Sequence, residues 1–157
     1  MTKNLGSLIF ILFLPAILLG QYCSVVAGDT ELITKTCKQT PYYQLCVSTL
    51  QSDPRSSKAD IPGLGLIIVA AVKAKVKNTL KLIKQLEGSN PRLKAPLSDC
   101  NQVYNAVVIA DIPEAVEALT KGDPKFAENG MSDAAIEAQQ CESGFKQSKS
   151  PLRKIDL

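Results

Sequence analysis

The chain has 157 residues, with 18 basic and 15 acidic side chains and a formal net charge of +3. Its length suits one domain, and so small a charge does not favour nucleic acid or an anionic membrane as a partner. The sequence contains no histidine, which removes the commonest general base and the commonest neutral metal ligand. We therefore expect no cofactor and no metal site.

Residues 1–27 are typical of a secretory signal peptide. Lys3 supplies the positive start, residues 8–19 form the apolar stretch, and small residues ending at Ala27 predict cleavage after that position. An uncleaved membrane anchor is the alternative, but the apolar run is shorter than the ~20 residues that span a bilayer and Pro15 interrupts it. The leader predicts secretion to the cell wall, with the vacuole as the alternative, and no membrane span after cleavage.

The predicted mature chain, residues 28–157, keeps four of the five cysteines: Cys37, Cys46, Cys100 and Cys141. An even count on an oxidising route predicts disulfides. Four cysteines allow three pairings, of which proximity favours Cys37–Cys46 and Cys100–Cys141. A metal site is the competing interpretation, although no C-x-x-C spacing occurs and no histidine is present.

Residues 29–51 are expected to form a helical hairpin. Asp29 is the predicted N-cap of its first helix, and Thr40 followed by Pro41 is the predicted start of its second. A Cys37–Cys46 disulfide would link the two helices.

Three longer amphipathic helices follow at about residues 60–87, 95–121 and 124–147, because apolar residues recur there at steps of three and four. Asp60 is the predicted cap of the first helix and Gly88 its predicted terminator. Pro113 predicts a kink in the second helix near Asp111. No segment shows the alternation of a strand, so we predict an all-α fold: an antiparallel up-down helical bundle with an N-terminal α-hairpin.

The first of these helices carries a row of lysines. Its members recur at helical spacing on the side away from the apolar stripe: Lys73, Lys77, Lys81 and Lys84. Such a row is either a solvated helix face or a docking face, and the sequence leaves both interpretations open.

The turn between the second and third long helices is almost as short as a helix connection can be. Gly122 is a predicted helix terminator, Asp123 a predicted N-cap and Pro124 a residue suited to the first helical position. Lys125 and Phe126 follow in the first turn, where a cation is unfavourable by roughly 0.3–1 kcal/mol. Lys125 is then either a tolerated surface lysine or a cation presented to a partner's acidic pocket.

These motifs resemble the plant invertase and pectin methylesterase inhibitor family, from about residue 34 to residue 151. The resemblance is carried by the hairpin sequence Thr-Pro-Tyr-Tyr-Gln-Leu-Cys ending at Cys46, by residues 112–119, and by the cysteines at the predicted core positions. Residues 121–127 are most similar to the cell-wall invertase inhibitors of the tobacco type.

The resemblance implies a secreted inhibitor of plant acid invertase that is not itself an enzyme. In the invertase-inhibiting branch the Pro-Lys-Phe motif enters the target's active site, which implies a partner-binding role for Asp123, Pro124, Lys125 and Phe126. The family's bundle has four long helices, so the resemblance also implies that the last helix is missing here. A truncated form with impaired inhibition is therefore an alternative to a fully active inhibitor.

Two other functions remain open from the sequence. A pectin methylesterase inhibitor would use the same scaffold. A small carrier of apolar ligands is a different class, although such carriers usually have more cysteines. A catalytic function is not indicated, because the acidic and basic residues are scattered over helix surfaces and a Ser/His/Asp set is impossible without histidine.

Overall fold

The computed structural model describes residues 27–145 and 149–152. The predicted signal peptide, apart from its last residue, lies outside the described residues, as do residues 153–157. The six α-helices of the described part are α1 Ala27–Cys37, α2 Tyr43–Gln51, α3 Ile61–Ser89, α4 Lys94–Ala106, α5 Ile112–Lys121 and α6 Pro124–Ser143. No strand occurs within these ranges, and the predicted all-α class is confirmed.

The longer helices form the predicted antiparallel bundle. Both α3 and α6 pack against α4 and α5, whereas α3 and α6 make no extensive contact with each other. The α1–α2 hairpin covers the first turns of α3, where Ile33 and Leu50 pack against Leu64. A second buried cluster lies around Ile112 in the middle of the bundle, and a third lies around Ile83 at its far end.

Both of the cysteine pairs that proximity favours are bonded in the structure. Cys37–Cys46 joins the end of α1 to α2 with a Cα–Cα distance of 5.6 Å. Cys100–Cys141 joins α4 to α6 with a Cα–Cα distance of 4.6 Å. The second bond crosses the bundle core, because both of its cysteines are almost wholly buried.

Several predicted helix boundaries are wrong. Helix α2 begins at Tyr43 rather than Pro41, because the Thr40 hydroxyl accepts a hydrogen bond from the Tyr42 N–H at 3.0 Å and forms a local turn. Asp29 lies inside α1, which begins two residues earlier. Helix α3 continues through Gly88, and α6 ends at Ser143 rather than at residue 147.

A π-helical segment, Val107–Asp111, connects α4 to α5. It ends two residues before Pro113, whose ring nitrogen cannot donate the hydrogen bond that an α-helix needs at that position. A local change to the wider π-helix is one way in which a helix accommodates an interrupted hydrogen-bond ladder. The irregularity that the sequence predicts near Asp111 therefore takes the form of a π-segment between two helices.

Gly130 allows α6 to pack closely against this segment. A Cβ atom added at Gly130 would lie 2.9 Å from the Asp111 carbonyl oxygen and 3.4 Å from the Ala115 nitrogen. Because backbone atoms cannot rotate away, we expect Gly130→Ala to lower the free energy of unfolding by about 1–3 kcal/mol. Urea unfolding followed by circular dichroism measures the change.

Gly88→Ala is the matched control for that substitution. Gly88 also lies in a helix, but an added Cβ atom there meets nothing within 4 Å. Alanine is the better helix former by roughly 0.5–1 kcal/mol, so the control variant should be as stable as the wild type or more stable. A Gly130→Ala variant that is also stabilised would contradict the close approach of α6 to α5.

Two carboxylates, one in the π-segment and one in α6, each have an oxygen atom without a partner. Asp111 Oδ2 and Glu137 Oε2 are both buried without a hydrogen-bond partner among the described residues. Burial makes the largest contribution to raising the pKa of Asp111, and the negative charges of Glu137 and Asp133 raise it further. A raised carboxyl pKa in the folded state favours folding at low pH, and that contribution is lost as the pH rises through the raised value.

Asp111→Asn is therefore expected to raise the free energy of unfolding at neutral pH. The difference from the wild type should shrink as the pH falls toward the range in which the Asp111 carboxyl takes up a proton. Urea unfolding at a series of pH values measures both effects, with Asp99→Asn on the exposed face of α4 as the control. A stabilisation by Asp111→Asn that does not change with pH would contradict this explanation.

Candidate functional site

The reversal between α5 and α6 is built from local hydrogen bonds. Gly122 ends α5 in the left-handed conformation, with φ 79° and ψ 26°. Its N–H donates to the Leu119 carbonyl at 3.3 Å, and the Asp123 N–H donates to the Ala118 carbonyl at 2.9 Å. This is the paired pattern of a Schellman motif, which satisfies the last carbonyls of α5. A side chain with a Cβ atom would be strained at Gly122, so the glycine fixes the direction of the turn.

Asp123 begins α6 as the sequence predicts. Its Oδ1 accepts a hydrogen bond from the Phe126 N–H at 3.0 Å, and Pro124 occupies the first turn. The Asp123 carbonyl accepts a further bond from the N–H of Ala127, whose side chain is buried in the bundle core. The backbone of residues 123–126 is thus held at both ends, and we call these four residues the corner.

The corner presents its side chains to solvent. All four residues are exposed, including Phe126 at 53% and the Lys125 side chain at 77%. A phenylalanine that is about half exposed forfeits part of the stabilisation that full burial would give. A cation at a helix N-terminus is electrostatically unfavourable. The structure therefore exposes the four residues that the sequence singled out, on a backbone fixed by the cap and the turn.

Lys125 is paired in the free protein. Its Nζ lies 2.9 Å from Glu128 Oε2, one turn along α6, and both side chains are exposed. An ion pair in such a position contributes about 0.2–1 kcal/mol, so a partner's carboxylate can replace Glu128 at small cost. Sequence reasoning missed Glu128, although its spacing of three residues from Lys125 is a recognised signal of helix-surface pairing.

An open cleft of about 420 Å³ lies beside the corner, between the end of α5 and the start of α6. Its lining residues are Glu114, Glu117, Ala118, Lys121, Asp123 and Phe126. Glu117 and Lys121 form an ion pair one turn apart, which lowers the pKa of Glu117 and raises that of Lys121. The cleft is therefore mostly acidic, whereas the cation of Lys125 belongs to the corner itself.

The described residues also bear on two other kinds of site. Among them, no group of three His, Cys, Asp or Glu side chains is placed to hold a metal ion. In the same part of the chain, no helix combines the length and apolar character needed to cross a bilayer. What the corner can do chemically is to offer a cation and an aromatic ring to a concave partner.

The fold and the corner define a class: small, disulfide-linked helical bundles that carry a rigid exposed turn between two helices. Residues 31–156 match the sequence profile of the family described as Plant invertase/pectin methylesterase inhibitor. The match covers most of the chain, and the chain belongs to this family. The resemblance stated from the hairpin, the cysteines and the corner is confirmed.

Relatives in this family are named as inhibitors of two kinds of enzyme. The chain is 45% identical over 130 residues to the Arabidopsis thaliana protein named "Cell wall / vacuolar inhibitor of fructosidase 1", covering 83% of this chain and 63% of that protein. It is 35% identical over 141 residues to the Actinidia deliciosa "Pectinesterase inhibitor", covering 88% of this chain and 74% of that protein. The chain thus spans less than two thirds of the length of the first of these relatives.

A solved structure shows the same fold. The crystal structure of a pectin methylesterase inhibitor from Arabidopsis thaliana superposes with a TM-score of 0.56 at 21% sequence identity. The superposition covers 82% of this chain and 84% of the other. At this level of identity the likeness concerns the fold alone.

Proposed function

We propose that this chain inhibits a plant acid invertase, a β-fructofuranosidase, by placing the corner in the enzyme's sucrose-binding active site. The observation that carries the proposal is the exposure of Lys125 and Phe126 on a backbone fixed by Asp123 and Gly122. The 45% identical relative, whose name makes it an inhibitor of fructosidase, supports this choice of target.

The mechanism follows from the charge of the target site. A retaining glycosidase holds two carboxyl groups about 5–5.5 Å apart around the bond it cleaves, so its empty pocket is acidic. The Lys125 ammonium group is a compact charge on a flexible stem that can exchange Glu128 for such a carboxylate. Phe126 would cover apolar surface beside it, and sucrose would be excluded from the occupied pocket.

The rigid corner also lowers the cost of binding. Fixing the backbone of a flexible loop at an interface costs roughly 1–2 kcal/mol of conformational entropy for each residue. Here the Asp123 cap and the ring of Pro124 hold the backbone before the partner arrives. Binding energy is then not used to order the turn.

We also propose that the chain acts outside the cell membrane, in the cell wall, after its leader is removed behind Ala27. The apolar leader and the "Cell wall / vacuolar" name of the 45% identical relative support this location. The vacuole is the alternative, since the relative's name covers both. Mass spectrometry of the N-terminus of the secreted protein tests the cleavage site.

Inhibition of pectin methylesterase is the second candidate function. The pectinesterase inhibitor from Actinidia deliciosa matches 88% of this chain. In that case the target would be an esterase rather than a glycosidase, and the argument from a pair of glycosidase carboxyl groups would give Lys125 no special role.

The deciding experiment titrates both enzymes with the purified, oxidised chain of residues 28–157. We expect inhibition of acid invertase that sucrose relieves competitively, and weaker or no inhibition of pectin methylesterase. Inhibition of pectin methylesterase alone would favour the second candidate. If the chain at micromolar concentration inhibits neither acid invertase nor pectin methylesterase, both proposed functions are overturned.

A further inference from the structure

Positive charge is concentrated on helix α3. Its 29 residues contain five lysines and one glutamate, a net charge of +4, whereas the whole chain carries +3. The rest of the chain is therefore slightly acidic, with a net charge of −1. A charge difference of this size between one helix and the remainder of a protein marks α3 as the basic side of the molecule.

Four of these lysines form one row, which we call the α3 row: Lys73, Lys77, Lys81 and Lys84. Residues three or four apart lie on the same face of a helix, and at 1.5 Å per residue the charges are spaced by roughly 5–6 Å over about 17 Å. All four are exposed. None of the ion pairs found within the described residues includes any of them. The row is thus a line of evenly spaced cations facing solvent.

The opposite face of α3 rules out insertion into a lipid surface. Val76, Thr79 and Ile83 are buried in the bundle, whereas a helix that lies in a membrane interface needs a free apolar face. Anionic vesicles would meet only the lysine head groups.

The composition of α3 also argues against nucleic acid. The helix contains no aromatic residue on which a base could stack and no arginine to bind a phosphate through two parallel hydrogen bonds. Double-stranded DNA carries one charge per ~1.7 Å of helix axis, several times denser than the row. The row fits a more sparsely charged polymer.

We propose that the α3 row binds a linear acidic polysaccharide whose carboxylates repeat along an extended chain. Lysine ammonium groups are point charges on flexible stems, which suits carboxylates whose positions vary as the polymer bends. Each contact is weak, and affinity comes from several lysines acting along one polymer strand. This binding would hold the protein in a matrix of such polymers.

The α3 row lies away from the corner along the bundle. Gly65, near the start of α3, lies against Leu119 in the last turns of α5, with 3.2 Å between its added Cβ position and the leucine side chain. The corner is therefore at the end of the bundle where α3 begins. The row starts eight residues later and runs toward the buried Ile83 cluster. The two surfaces can be occupied at the same time.

The test measures binding of the oxidised protein to polygalacturonate by calorimetry and by retention on the immobilised polymer. The test variant carries glutamine at all four positions of the α3 row. The matched control carries glutamine at four exposed lysines elsewhere in the chain: Lys35, Lys38, Lys58 and Lys94. Both variants lose the same net charge, so only the position of the charge differs.

We expect the wild type and the control variant to bind with affinities within about threefold, and the row variant to bind at least about tenfold more weakly, with a shallower dependence on salt. Equal losses in both variants would show that net charge alone is responsible and would overturn the proposal. The proposal would also be overturned if the wild type bound phosphatidylserine vesicles in preference to polygalacturonate, or if it did not bind polygalacturonate at all.

Circular dichroism and thermal unfolding establish that both variants are folded. Enzyme inhibition by the row variant should match that of the wild type, because the corner is unchanged. The polysaccharide proposal and the inhibitor proposal can therefore fail separately.

Discussion

Replacing Lys125 with alanine is expected to weaken inhibition of acid invertase by about 2–5 kcal/mol, or roughly 30-fold to several thousand-fold. Truncating one member of a buried charge pair leaves the partner's carboxylate without compensation, and this accounts for much of the loss. The stability of the free inhibitor should hardly change, because the exposed Lys125–Glu128 pair contributes less than about 1 kcal/mol. Inhibition constants from initial rates of sucrose hydrolysis measure the effect.

Two variants near Lys125 make that measurement specific. Lys121→Ala removes a similarly exposed lysine from the last turn of α5, and we expect it to change the inhibition constant by less than about threefold, as is usual for a charge outside the buried contact. Glu128→Gln frees the Lys125 ammonium group and removes a charge that an acidic pocket repels, so it should bind the enzyme more tightly. An inhibition constant for Lys125→Ala within about twofold of the wild type would exclude Lys125 from the mechanism.

Removal of the Cys100–Cys141 disulfide is the second change with a large expected effect. The bond closes a loop across 41 residues, for which the loss of unfolded-state entropy corresponds to about 4 kcal/mol. Both cysteines are buried in the cluster that contains Ile83 and Leu97, so their replacement by alanine also loses packing. We expect the double variant Cys100→Ala/Cys141→Ala to be partly unfolded at 37 °C, as measured by thermal unfolding and by proteolysis.

The Cys37–Cys46 bond provides the comparison. It spans only nine residues, so the same reasoning gives about 3 kcal/mol for its contribution to folding. Its loss should loosen the α1–α2 hairpin while α4 and α6 remain packed. Hydrogen exchange would show faster exchange in α1 and α2 only. If Cys37→Ala/Cys46→Ala lowers the stability as much as Cys100→Ala/Cys141→Ala, the length of the closed loop does not determine how much each bond contributes.

Much of the fold follows from signals that act over four residues or fewer. The Asp60 side chain accepts a hydrogen bond from the Gly63 N–H at 2.9 Å and begins α3, as its position before an apolar periodic segment predicts. Gly122 and Asp123 act in the same way at the corner. These predictions succeed because both hydrogen-bonding groups are close in the sequence.

The same local reasoning fails where the residue type only favours a helix boundary and does not require it. Thr40 is a good N-cap by type, but its hydroxyl binds the N–H two residues later and the helix begins at Tyr43. Gly88 is a good terminator by type, but no positive φ is required there and α3 runs on to Ser89. Residue type gives a preference in such cases, and the surrounding structure decides between the alternatives.

By itself, the sequence determined the helices, the turn at Gly122 and the exposed corner with Lys125 and Phe126, because each depends on hydrogen bonds and periodicity within a short segment. Only the tertiary structure decided where distant helices meet. It showed that Gly130 lies against the Asp111 carbonyl, that Asp111 and Glu137 each have one buried and unpaired carboxylate oxygen, and that the lysine row of α3 lies away from the corner. Such contacts depend on how α3, α5 and α6 pack, and no spacing along the chain encodes the distance between them.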